Sequence, residues 1–209
     1  KFRGDHTPKS CICDKEENVI GIILKNTDRT KITLPDLPHL VYCCISDNKE
    51  LNTLIFEQAL SKLEYLDLSD NPNINDYKPL EYLTDLSILD LSYNGIKEID
   101  FLKDLTLLSI LNLRDNQILD LSPISNTTHI NRIDVSKNPF TDLRALLTLV
   151  KKGLNVELKP SNKDSFILIE DSEITFPPLE IVKEGNKAII NFFNNYNIKF
   201  IGALPIDDL

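Results

Sequence analysis

LEYLDLSDN, residues 63–71, is followed by LSILDLSYN at 86–94, LSILNLRDN at 108–116 and INRIDVSKN at 130–138. The phrases start 22 or 23 residues apart, and self-similarity at such a period decides the architecture before any single residue is considered. Working backwards, LVYCCISDN from Leu40 fits with Cys43 and Ile45 in the two inner slots. VIGIILKNT from Val19 fits with Ile22 and Leu24, Thr27 standing where the others have Asn. Working forwards, Val156 and Leu158 continue the series in a degraded form. The result is about seven units of the pattern L-x-x-L-x-L-x-x-N.

Each letter has a physical reason. The alternating L-x-L core is a short strand with one buried face. Stacked units place their inner residues about 4.8 Å apart in one apolar column. The expected column runs Ile22/Leu24, Cys43/Ile45, Leu66/Leu68, Leu89/Leu91, Leu111/Leu113, Ile133/Val135, Val156/Leu158. Where each strand turns away, Asn48, Asn71, Asn94, Asn116 and Asn138 have the donors and acceptor needed to satisfy buried backbone groups. The return segments 57–63, 77–86, 100–108 and 143–154 carry helix-like apolar spacing. They are read as short helices or single turns, the last, with Gly153 after it, being the most regular.

The pattern resembles the leucine-rich-repeat family, in its bacterial-type and phosphatase-regulator-like class of ~22-residue units. The resemblance implies an α/β fold: a right-handed solenoid, or horseshoe, with a parallel sheet on the concave side, short convex helices or turns, and use in protein recognition. The expected organisation is an N-terminal cap over 1–18, the repeat array over 19–162, a C-terminal cap of strand and helix over 163–197, and a tail over 198–209. CICDKEENVIGIIL (11–24) resembles leader segments in which a Cys and an Asp precede the first strand.

At the other end, FILIEDSEITFPPLEIVKEGNKAIINFFNNY (166–196) reads as a final strand, then Pro177-Pro178 opening an amphipathic helix. Ile181, Val182, Ala188, Ile189, Phe192 and Phe193 are expected to close the last repeat's core. The phrase looks like the PP-x-E-I-x-x-x-G-x-x-A-I tail that closes the repeat domain of bacterial Roco (Roc-COR GTPase) proteins, through Pro177, Pro178, Glu180, Ile181, Gly185, Ala188 and Ile189. In that family a phosphate-binding loop follows. Here Lys199-Phe200-Ile201-Gly202 begins like the strand leading into it, yet the chain has no G-x-x-x-x-G-K-[ST].

Composition excludes several functions. A formal charge of −9 opposes general binding to nucleic acid or to anionic membrane, and favours a partner with basic features. No apolar run approaches the ~18 residues of a membrane span. With no Met in the chain, Lys1 is not the translated start. The Roco-like tail favours a cytoplasmic location; the missing start and the Cys11/Cys13 segment suggest a secreted or cell-surface alternative.

No cofactor, metal site or catalytic set is expected. Four cysteines are too few for a disulfide-dense scaffold, and free thiols are preferred to bridges between the pairs Cys11/Cys13 and Cys43/Cys44. Cys11 and Cys13, even with His6 and Asp14, lack a second CxxC or HxxxH to complete a zinc site. His39 and His129 sit at turns, and HExxH, GxSxG and GxGxxG are absent. Arg3-Gly4-Asp5 is read as a chance match, and the sequon Asn126-Thr127-Thr128, meaningful only in a protein secreted by a eukaryote, as a polar convex loop.

The residues between the inner ones point to the open sheet face. One column reads Gly21, Tyr42, Tyr65, Ile88, Ile110, Arg132, Asn155; the next reads Ile23, Cys44, Asp67, Asp90, Asn112, Asp134, Glu157. A third holds Arg114 among serines, and Tyr93 and Lys137 follow in a fourth. The expected site is therefore an apolar ladder, Tyr42–Tyr65–Ile88–Ile110, beside an acidic row of Asp67, Asp90 and Asp134, with Cys44 and Asn112 in the same row. Arg114, Arg132 and Lys137 turn its C-terminal part basic. Desolvated apolar anchors bordered by charges suit a protein partner carrying apolar and basic features.

Overall fold

The computed structural model describes residues 10–58, 60–160 and 162–201; His6 and the Arg3-Gly4-Asp5 triplet lie outside them. Short strands build a sheet: β1 (Ser10–Cys13), antiparallel at the edge, then β2 (Val19–Lys25), β4 (Tyr42–Ser46), β6 (Tyr65–Asp67), β7 (Ile88–Asp90), β8 (Ile110–Asn112), β9 (Arg132–Asp134), β10 (Asn155–Glu157) and β11 (Phe166–Leu168). From β2 to β9 the strands pair in parallel with no slip, so that Leu66 faces Leu89, Leu89 faces Leu111 and Leu111 faces Ile133. The inner column from Ile22 to Val135 is buried, apart from a half-buried Leu24.

The asparagines hold each unit to the one before it. Asn94 donates through Nδ2 to the Leu91 carbonyl of its own unit and to the Leu68 carbonyl of the preceding one, each at 3.0 Å. Its Oδ1 accepts the Asn71 amide at 2.7 Å. Asn71 and Asn116 repeat the arrangement, Asn138 does so except that its Oδ1 accepts the Ile118 amide, and Asn48 accepts from Thr27, which replaces the missing first Asn. The residue before each of these positions is left-handed: Asn26, Asp47, Asp70, Tyr93, Asp115 and Lys137 have φ between 51° and 60°. That conformation lets the chain leave the sheet at once, and Asn or Asp tolerates it better than most residues.

The convex side departs from the expected helices. In the first two units β3 (Lys31–Leu34) and β5 (Thr53–Phe56) form a separate parallel pair, with Ile32 opposite Leu54. Residues 57–58 and 60–63 form bends and turns rather than a helix. The later units have single 3-10 turns at Lys78–Tyr82, Asp100–Leu102, Ser122–Ile124 and Arg144–Leu146. A unit of this length has no room for a full helix after its strand and turn. Among the described residues of these returns only α1 (Leu147–Lys152) is α-helical, ended by Gly153 at φ 109°, whose amide reaches the Val150 carbonyl.

The C-terminal strands are out of chain order. The sheet ends β9-β11-β10, so β11 occupies the place expected for Val156 and pairs Ile167 with Ile133. Phe166-Ile167-Leu168-Ile169 is apolar throughout and suits a flanked position, whereas Asn155 and Glu157 bracket β10, which takes the edge. Asp171 at φ 53° repeats the left-handed turn, and Ser172 stands in the asparagine slot, its hydroxyl donating to the Val135 carbonyl. The last full unit is thus Phe166–Ser172, and residues between Asn138 and Phe166 carry an inserted helix and edge strand.

Two helices, not one, cap this end: α2 (Leu179–Lys183), with Pro178 as its N-cap, and α3 (Asn186–Ile201), separated by Gly185 at φ 88°. Val182, Ile189 and Phe193 are buried; Ile181, Ala188 and Phe192 are half-buried. Of the strand expected from Lys199, residues Lys199, Phe200 and Ile201 belong to α3 instead, and Gly202 with the rest of the expected tail lies outside the described residues. Asn186 blocks the sheet edge: its Nδ2 donates to the Leu154 carbonyl at 2.8 Å and its Oδ1 accepts the Val156 amide.

Asn94→Leu strands several buried backbone groups at once and should destabilise the chain by about 3 kcal/mol or more, since each unmade buried bond costs about 1–3 kcal/mol. Urea denaturation followed by circular dichroism measures it. The exposed Asn75→Leu should stay within about 0.5 kcal/mol of the original chain.

Candidate partner-binding surface on the concave sheet

The parallel register brings the predicted apolar residues into one line. Tyr42 pairs with Tyr65, Tyr65 with Ile88, Ile88 with Ile110 and Ile110 with Arg132. All five are half-buried, so each presents part of its side chain to the open face. The Tyr42 and Tyr65 rings stack with centroids 4.4 Å apart and planes 16° apart. Burial pushes both phenols above their ordinary range, so the pair stays neutral.

Two residues missed from the sequence extend the line. Ile12 of β1 lies opposite Gly21 and covers it: a Cβ at Gly21 would come within 3.0 Å of the Ile12 side chain. Ile12 remains 45% exposed and supplies the apolar group that glycine lacks. Phe166 of β11 takes the place expected for Asn155, and the Arg132 guanidinium lies 5.3 Å from its ring centre. The alternation of Cys11-Ile12-Cys13 and the fit of Phe166–Ser172 to the repeat phrase were the signals that could have found them.

The acidic row has a different character from a free charge array. Asp67 Oδ1 accepts the Ser69 amide and hydroxyl, and Asp90 Oδ1 accepts those of Ser92. Asp134 Oδ1 accepts the Ser136 amide, and Asn112 Oδ1 the Arg114 amide. One oxygen in each side chain therefore clamps the strand's exit. The second oxygens are also engaged: Asp90 accepts Asn112 Nδ2 at 2.9 Å, and Asp67 accepts the Cys44 thiol at 3.1 Å.

Cys44 does not open into the concavity as expected. It is 1% exposed and sits between the Ser46 hydroxyl and Asp67. Burial pushes its thiol pKa up, the opposite of what a nucleophile needs. Cys43 is in the core, and Cys11 and Cys13 are exposed on β1. His39 and His129 are exposed at turns, His129 touching the Thr106 carbonyl.

The basic end is largely neutralised. Arg114 bonds Glu170 at 2.8 Å and lies 3.8 Å from Asp134, and Lys137 lies 3.7 Å from Asp115. Tyr93 is 45% exposed on the same edge, beside Arg114. No helix among the described residues is long and apolar enough to cross a membrane.

One strand per unit in a parallel, unslipped run from β2 to β9, a row of buried asparagines and compact returns define a leucine-rich-repeat solenoid. Residues 61–104 and 84–126 match the family model described as Leucine Rich repeats (2 copies). Solved structures similar to the chain include two internalins of Listeria monocytogenes. InlF is 19% identical with a TM-score of 0.45, the match covering 76% of this chain and 56% of that one. Internalin C2 is 25% identical with a TM-score of 0.46, covering 75% and 73%. Human 5T4, the trophoblast glycoprotein, is 17% identical with a TM-score of 0.46, covering 81% and 82%. The chain spans little more than half the length of the inlF chain. No curated protein matches it.

Asp90→Ala removes two hydrogen bonds at a strand exit and one to Asn112 on the next strand, and should lower stability by about 1–2 kcal/mol. An unchanged urea midpoint would show that the carboxylate is idle in the fold and free for other use.

Proposed function

We propose that this chain is a non-catalytic protein-binding module that holds its partner on the concave ladder. The observation that carries the reading is the unbroken half-buried line Tyr42–Tyr65–Ile88–Ile110, which the sheet's register sets on one open face. Leucine-rich-repeat proteins commonly mediate protein–protein interaction, and aromatic residues flanked by polar ones are the usual anchors of such surfaces. The partner carries apolar groups for the ladder. Basic groups suit a chain whose formal charge is −9. The acidic row contributes orientation rather than affinity, because its carboxylates already serve the fold.

A second reading, an intramolecular arm of a longer Roco-like protein, draws on the Pro177-Pro178 phrase in the cap. A third is self-association through the ladder, in which case mass by light scattering rises with concentration.

The test is capture of a partner from source lysate by the original chain and by an Ile88→Arg, Tyr65→Glu double variant, both shown to be folded by circular dichroism. A specific protein held by the original and lost by the variant is expected. Equal capture would move the site off the ladder.

A further inference from the structure

The concave face was expected to be broadly basic towards its C-terminal end, yet two of its three cations there are already paired. Arg114 is held by Glu170 and Asp134, and Lys137 by Asp115. Arg132 is different. Among the described residues no carboxylate or other acceptor bonds its guanidinium, and its Nε is buried without a hydrogen-bond partner. The terminal nitrogens are not enclosed in the same way, so the charge is open to the concave space.

The side chain is nevertheless held in place. It pairs in register with Ile110 on one side and Phe166 on the other, and its guanidinium lies 5.3 Å from the Phe166 ring centre. Stacking on an aromatic face fixes the plane of an arginine while leaving its outer edge free to bond. An arginine fixed beforehand loses less freedom when it binds than a mobile one does.

We propose that Arg132, seated on Phe166 at the end of the apolar ladder, receives a carboxylate of the protein partner. This deepens the reading of the ladder as a protein-binding surface and rests on it. The partner then presents an acidic side chain next to a run of apolar ones. From β4 to β9 the ladder crosses four strand spacings, about 19 Å, which sets the length of that apolar run. A single carboxylate fits better than phosphate groups or a nucleic-acid backbone. Asp134 stands two residues along the same strand, and the chain's charge of −9 repels a polyanion while tolerating one acid at an arginine. The partner's acid then lies at Arg132, at the C-terminal end of the ladder.

Nitrogen–proton correlation spectra of the folded chain read this directly, because an arginine Nε–H gives its own resonance. That of Arg132 is assigned by its loss in Arg132→Gln, whose remaining spectrum reports that the variant is folded. The probes are 3-phenylpropionate and its neutral amide, 3-phenylpropionamide. The carboxylate is expected to shift the Arg132 Nε–H and the Phe166 ring resonances, with the amide needing at least about tenfold higher concentration, since a charge-assisted bond contributes about that factor or more. Equal titration by the two probes, or no shift at Arg132, overturns the proposal. A shift on concentrating the chain alone also overturns it, by giving the site to a carboxylate of a second copy.

The two readings fail separately. If Arg132→Gln captures the lysate partner as well as the original chain does, while the ladder double variant does not, the ladder stands and the arginine site falls. If the double variant still captures the partner and still answers the carboxylate probe, the ladder is not the binding surface.

Discussion

A strand that is one of many in a stack must leave the sheet within a few residues, and the groups exposed by that exit must find partners inside the molecule. The solution is a left-handed residue followed by a buried asparagine. The left-handed residue makes the corner, and the asparagine satisfies the carbonyls that the corner strands. Because each amide reaches back into the preceding unit, the corner is also the joint between units. Without it the leucine columns would still attract one another, but nothing would fix their register, and the concave columns would lose their alignment. The line of Tyr42, Tyr65, Ile88 and Ile110 is in this sense a product of the asparagines on the other side of the turn.

The concave face divides its labour by column. The column nearest the strand entry has no part in closing turns, so its side chains are free to vary from tyrosine to isoleucine to arginine. The next column is tied to the exit turn, and its acids and Asn112 accept backbone amides there. A carboxylate that is already a hydrogen-bond acceptor twice or three times over is a poor candidate for the main affinity of an interface, whatever its sign. Charge on a surface therefore has to be read together with its internal partners. The same distinction separates Arg114 from Arg132, which look alike in the sequence and differ in what surrounds them.

Much of the fold was legible because a repeat carries its evidence several times. The inner column, the asparagine row and the outward columns from Gly21 to Arg132 could be aligned by period alone, and the parallel register from β2 to β9 follows that alignment. What the period could not give lies where it breaks. The convex pair β3 and β5 has strand-like residues, Lys31-Ile-Thr-Leu and Thr53-Leu-Ile-Phe, but no place in the repeated phrase. The exchange of β10 and β11 was hidden because the stretch after Val150 offers two strand-like segments and spacing favours the nearer. Burial chose the other one: Ile167 is fully enclosed, while Val156 is left half-buried at the edge. Phe166 was lost to the candidate site for this reason. Cys44 was misplaced for another, since column position says which way a side chain leaves the backbone and not what then covers it.

The exchanged strands also bear on how the chain reaches its native state. From β2 to β9 each unit can add to a finished neighbour, as links are added to a growing rod. Beyond β9 that sequence stops. β10 is made before β11 along the chain, yet it has no sheet to join until β11 has taken its seat between them. α3 in turn needs β10 in place before Asn186 has a backbone to hold. The last part of the molecule must therefore come together as a block. The rod ends in a clasp, and the chain that closes it is the same chain that carries Phe166 to the concave face.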